Sequence, residues 1–115
     1  MTITLYGIPN CDTVKKARAW LAARGTDAQF VDFKKGGVPP LRLDAWLASA
    51  GWEALLNRKG TTWRKLDDSV REAVVDAANA RRLMLDQPSV IKRPVVEWAG
   101  GDITVGFDAA AWAKR

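Results

Sequence analysis

The chain has 115 residues, 48% of them hydrophobic and 27% charged, and 18 lysines and arginines against 13 acidic residues leave a net charge of +5. That length fits one domain with a core of its own, and the apolar share argues against disorder. With no histidine and a single cysteine, imidazole general-base catalysis, histidine-ligated metal sites and an internal disulfide are excluded, while the positive balance favours anionic partners without selecting nucleic acid among them.

Thr2 to Tyr6 alternates, with Ile3 and Leu5 set against Thr2, Thr4 and Tyr6, and reads as a short strand. The start carries no basic, then apolar, secretion signal, and no apolar run approaches the ~20 residues that span a bilayer, so a cytoplasmic protein without a membrane partner is expected. A helix is predicted over Asp12 to Arg24, with Val14, Ala17 and Leu21 on one stripe and Gly25 as its stop. Ala28 to Phe33 is rich in β formers, and a strand, helix and strand in succession predict a parallel pair. From Lys34 to Pro40 the chain is a Gly/Pro loop, and Leu43, Trp46, Leu47 and Ala50 then recur at helical spacing. The loop "NRKGTTWRK" follows, from Asn57 to Lys65. Val70, Ala73, Val74 and Ala77 predict another helix, capped near Asp68 or Ser69, and Ala80, Leu83 and Met84 a further one ending before Pro88. Strand texture returns at Pro94 to Trp98 and, after a Gly100-Gly101 turn, at Ile103 to Phe107, with Asp108 capping a short last helix. The order is β-α-β, a helical insert at about 38–87, then β-β-α: an α/β fold in a single domain over 1–115.

Within "GIPNCDTVKKARAW" the one cysteine, Cys11, falls where strand gives way to helix. The thiolate, not the thiol, is the nucleophile, and a helix N-terminus offers unpaired N–H groups and a positive dipole end that favour it. Lys15, one turn further on, adds positive charge, and Asp12 opposes it. An inert buried thiol is the alternative, against which the polar neighbours Asn10, Asp12 and Thr13 argue. Any redox cycle through Cys11 needs its second thiol from another molecule. The "NRKGTTWRK" loop, with Arg58, Lys59, Arg64 and Lys65, either holds the carboxylates of a molecule such as glutathione or is a solvated turn in which Thr61 or Thr62 starts a helix. It lacks the glycine spacing of a phosphate-binding P-loop. Trp20 and Trp46 lie on or beside apolar stripes and are assigned to the core; no aromatic platform for bases is indicated, so direct nucleic-acid binding is not expected.

Three stretches, "LYGIPNCDTVKKARAWL", "LLNRKGTTWRKL" and "IKRPVVEW", together resemble the ArsC-type arsenate reductase and Spx-like branch of the thioredoxin-fold superfamily, above all its small YffB-type members. The blocks and their spacing cover nearly the whole chain. The resemblance implies a thioredoxin-like fold with a mixed four-stranded sheet around the helical insert. It implies Cys11 as nucleophile, Arg93 as the residue holding an oxyanion, and Pro94 in cis beside the cysteine loop. Asn10, Thr13, Lys15 and Arg58 join Arg93 and Pro94 as candidates for binding the anion or substrate, and no metal is implied. The activity implied is a thiol-dependent oxidoreduction with glutathione or a glutaredoxin supplying the second thiol and no bound cofactor. The branch also contains regulators that bind RNA polymerase, for which Cys11 would be idle, and reductases of arsenate itself. Gly7 stands where those reductases usually have a histidine, and Asn57 and Gly106 stand where two of three anion-binding arginines fall, with Arg58 next to the first. Val14 occupies the place of the second cysteine in the CxxC switch of Spx-type proteins.

Overall fold

The alternation at the start of the chain forms β1, Ile3–Gly7; helix α1, Asp12–Ala23, then returns the chain to β2, Ala28–Asp32. The computed structural model describes residues 2–115. Helices α2 (Pro40–Ala50), α3 (Trp52–Leu55), α4 (Thr61–Lys65), α5 (Asp68–Glu72) and α6 (Ala77–Asp86) follow, with a 3-10 turn at Pro88–Val90. Strands β3 (Val95–Glu97) and β4 (Ile103–Val105) and helix α7 (Ala109–Trp112) complete the order. The sheet runs β2-β1-β3-β4, with β1 parallel to β2 and antiparallel to β3, and β3 antiparallel to β4. This is the mixed four-stranded α/β arrangement that the sequence predicts. The described residues fall into two compact units, one running to Phe33 and resuming over Arg93–Arg115, the other Lys34–Lys92.

In the first unit the period-two pattern places Leu5 opposite Phe30 on one side and Val96 on the other. Leu5 and Val96 join Val14, Ala17 and Leu21 of α1 and Trp112 of α7 in one core cluster. Each large apolar side chain so buried contributes about 1.5–3 kcal/mol. Helix α1 stops where Gly25 takes φ +68, with Gly25 N–H donating to Ala22 O and Thr26 N–H to Leu21 O. This pair of bonds is a Schellman closure, and the positive φ is the reason a glycine follows the helix.

In the second unit α2 buries Leu43 and Trp46, and α6 buries Ala80, Leu83 and Met84. Helices α2, α3 and α6 pack on one another, and the Arg81 Nε–H donates to Asp44 at 2.6 Å. Leu56 and Ile91 form an isolated antiparallel bridge, extended by Asn57 N–H to Val90 O at 2.8 Å and Lys92 N–H to Leu55 O at 2.8 Å. Two sequence expectations need correction here. The helix predicted through Ala77 breaks after Glu72, because Asp76 caps α6 by accepting the Asn79 N–H at 2.9 Å. The cap expected at Asp68 or Ser69 falls instead at Asp67, whose side chain makes no cap bond. The short helix α3 had no signal of its own. Among the described residues no helix is long and apolar enough to cross a membrane.

Candidate active site

Between β1 and α1 the chain turns through Pro9 and Asn10, and the Cys11 N–H donates to Ile8 O at 3.2 Å. Among the described residues none other than glycine has a positive φ, which suits a type I turn with proline in its preferred second place. Cys11 then takes extended angles, φ −96 and ψ 123, as the N-cap of α1. Lys15 N–H donates to Cys11 O at 2.9 Å and closes the first helical turn. N-cap positions prefer serine, threonine, aspartate or asparagine, whose oxygen accepts an N–H from the second or third helical residue. A half-buried thiol stands there instead.

The thiol closes no cap hydrogen bond of ordinary geometry, yet several groups act on the sulfur. Burial pushes the Cys11 pKa up; against this, the Val14 N–H, the Arg93 guanidinium as donor and as charge, and the Thr13 N–H pull it down. The downward pull wins, and the thiol lies below its ordinary range. Val14 and Thr13 are the third and second residues of the helix, so the donors are the orphan amides that a capping oxygen would take. A thiol is a weak acceptor and a thiolate a strong one, so ionisation completes the cap.

Arg93 is brought to this point by the chain's return from the second unit. The Arg93–Pro94 peptide is cis, as the resemblance implies. Pro94 is fully buried, and its carbonyl accepts the Gly106 N–H at 2.8 Å just beyond β4. Thus Cys11, Thr13 and Arg93 share one site. Asn10 and Lys15 are exposed on either side of Cys11, and neither Lys15 nor Asp12 is among the groups that move the thiol. Arg58 belongs to the second unit, where its guanidinium lies 5.6 Å from the Trp52 ring centroid. Val14 was read from the sequence as core alone. Its side chain is indeed fully buried, but its amide is one of the groups that lower the thiol; its place three residues after the cap is the signal that could have shown it.

The departures at Gly7, Asn57 and Gly106 also have physical reasons. A Cβ at Gly7 would meet Val14 Cγ2 at 2.8 Å, so a histidine does not fit while Val14 keeps its place. Asn57 serves its own turn, its Oδ1 accepting the Lys59 N–H at 3.2 Å, with its amide close beneath Gly60. Gly106 has φ +86, a conformation that an arginine would adopt only with strain of about 1–2 kcal/mol.

The model of the ArsC family matches residues 6–115. The chain is 49% identical in sequence to the solved protein YFFB (PA3664), over 98% of this chain and 97% of that one, with a TM-score of 0.90. It is 54% identical to an arsenate reductase (ArsC) related protein from Brucella melitensis, over 99% and 93%, with a TM-score of 0.77. An uncharacterized protein of Haemophilus influenzae is 38% identical over 92% of this chain and 91% of its own length. More distant likenesses are to an arsenate reductase of Rhizobium meliloti, 31% identical over 84% of this chain and 69% of the relative, and to the global transcriptional regulator Spx of Streptococcus pyogenes, 28% over 82% and 70%.

Proposed function

The chain belongs to the ArsC family, and from that premise we propose that it is a thiol-dependent oxidoreductase with Cys11 as its nucleophile. The observation that carries this reading is the set of donors on one sulfur: the amides of Val14 and Thr13 and the guanidinium of Arg93. In the proposed cycle the Cys11 thiolate attacks one sulfur of a disulfide. A bond forms between Cys11 Sγ and that sulfur, the S–S bond of the substrate breaks, and its other half leaves as a thiolate. The thiolate of one glutathione then attacks Cys11 Sγ in the mixed disulfide, so that the second half of the substrate leaves as a thiolate and Cys11 is bonded to glutathione; the thiolate of a second glutathione, or of a glutaredoxin, attacks the glutathione sulfur, forms the external disulfide and releases Cys11 as a thiolate again. The substrate disulfide gains two electrons, and two external thiols lose them. Arg93 and the helix N-terminus hold the anion at the start and the end of the cycle. Asn10 and Thr13 frame the approach, and Lys15 supplies charge for an anionic substrate.

Iodoacetamide labelling of Cys11 against pH tests the claim. We expect the rate to rise through an inflection below about 8.5, the value of a free cysteine, and Arg93→Ala to move that inflection upward. An inflection at the ordinary value in the wild-type chain would refute the activated thiolate. The likeness to Spx favours a second reading, a regulator that binds RNA polymerase. Polymerase binding that survives Cys11→Ser, with no thiol turnover in the wild type, would select it. Arsenate reduction is the third reading. It has less behind it, because Gly7, Asn57 and Gly106 are each fitted to local backbone or packing demands.

A further inference from the structure

Helix α1 carries the chain away from Cys11, and its 12 residues span about 18 Å at 1.5 Å per residue. At its far end, beside Ile3 at the start of β1, lies a concavity of about 360 Å³ lined by Trp20, Trp98, Trp112, Arg24 and Arg115. We propose that this concavity binds a small planar anion, one or two fused aromatic rings bearing a carboxylate or sulfonate. The volume is at the lower end of ligand pockets, which suits a ligand of that size.

Trp20 and Trp98, each half-buried, present apolar surface over the buried Trp112, and all three rings are already fixed. Trp112 is buried, and Trp20 and Trp98 stand edge-on to it, with centroids 5.7 and 5.0 Å away and planes at 77° and 87°. Phe107 braces both Trp20 and Trp112. The Trp98 Nε1–H donates to Thr104 Oγ1 at 2.9 Å, which sets the rotation of that ring. Rings held in place lose little freedom when a planar ligand arrives.

The charge of the rim selects an anion. Arg24 lies over the Trp20 ring with its guanidinium carbon 4.0 Å from the centroid, and Arg115 over Trp98 at 4.3 Å. Stacking engages the face of a guanidinium and leaves its N–H edges available to a carboxylate or sulfonate. Arg115 already pairs with Asp102. Arg24 has no carboxylate partner among the described residues. At the end of α1 the carbonyls of Leu21 and Ala22 already accept the amides of Arg24, Gly25 and Thr26, which leaves less unpaired negative charge to oppose an anion. Nothing in the thiol cycle uses this surface.

The test follows the six indole Nε1–H signals of the 15N-labelled full chain during titration with 2-naphthalenesulfonate and with the neutral 2-naphthalenemethanol. The signals of Trp20, Trp98 and Trp112 should move while those of Trp46, Trp52 and Trp63 stay. The sulfonate should bind about tenfold tighter than the alcohol, as one charged hydrogen bond provides. Arg24→Gln should remove that preference, Arg115→Gln should reduce it less, and Cys11→Ser should leave it unchanged. Equal binding of sulfonate and alcohol, a preference that survives Arg24→Gln, indiscriminate movement of all six indoles, or no movement at millimolar ligand would each overturn the proposal. The first comparison needs no variant, so a failure of Arg24→Gln to fold would leave it decisive.

Discussion

Cys11 puts a sulfur where a helix needs an acceptor, and this couples its protonation to the stability of the fold. The thiol lies below its ordinary range because the Val14 and Thr13 amides and Arg93 together outweigh burial. A group whose pKa is depressed by folding stabilises the native state when ionised. That contribution is complete above the unfolded value, about 8.5, and is lost as the pH falls through the folded value. We therefore expect urea stability to rise with pH in the window between the two. Cys11→Ser, which caps α1 at every pH, should lack that rise, so the variant's advantage should shrink toward pH 9, a limit chosen to lie just past the unfolded value. Parallel stability curves for the two chains would show that the sulfur is indifferent to its donors. The sequence made Cys11 legible because one thiol stood between strand and helix patterns. Arg93 was legible only through a resemblance, since it lies 82 positions further along, and no local periodicity connects residues that far apart.

Among the elements, legibility followed pattern and caps: the four-residue α7 was readable from the Asp108 cap, and α4 from Thr61. Helix α1 and the strands were readable because a stripe over several turns, or an alternation bounded by glycine, constrains the chain from within. Helix α3 has only four residues. Such a segment is not stable alone and forms through packing, so its own residues carry little signal. The break between α5 and α6 is the instructive failure. Val70, Ala73, Val74 and Ala77 keep helical spacing across it, but Asp76 adopts φ −150 and ψ 175 and spends its carboxylate on the Asn79 amide. Local capping outcompetes a continuous stripe where an aspartate can satisfy orphan N–H groups. Asp76→Ala should accordingly cost about 1 kcal/mol of stability, read as a lower urea midpoint with an unchanged slope, and Asp76→Asn should recover most of it. No loss in the alanine variant would mean that packing alone places the start of α6.

At the scale of the whole chain, the first unit is assembled from two separate stretches, and Lys34–Lys92 lies between them. Each unit holds roughly half of the chain, a size at which an isolated core is marginal. The strand pairs join across that interruption, since β1 needs both β2 before it and β3 after it. Closing an unfolded loop of that length costs entropy that a folded insert has already met. Arg93, which completes the thiol site, directly follows Lys92, whose amide is bound to Leu55 O within the second unit. These features support the proposal that 1–115 folds as one cooperative domain with the helical segment as an insert. Two buried indoles report on it separately: Trp112 in the first unit and Trp46 in the second. With urea increasing, their Nε1–H signals should vanish over the same transition, and the rise of the Cys11 labelling inflection toward its free value should coincide with both. If the Trp46 signal is lost while Trp112 and Cys11 remain native, the insert is an autonomous unit and the single-domain proposal fails.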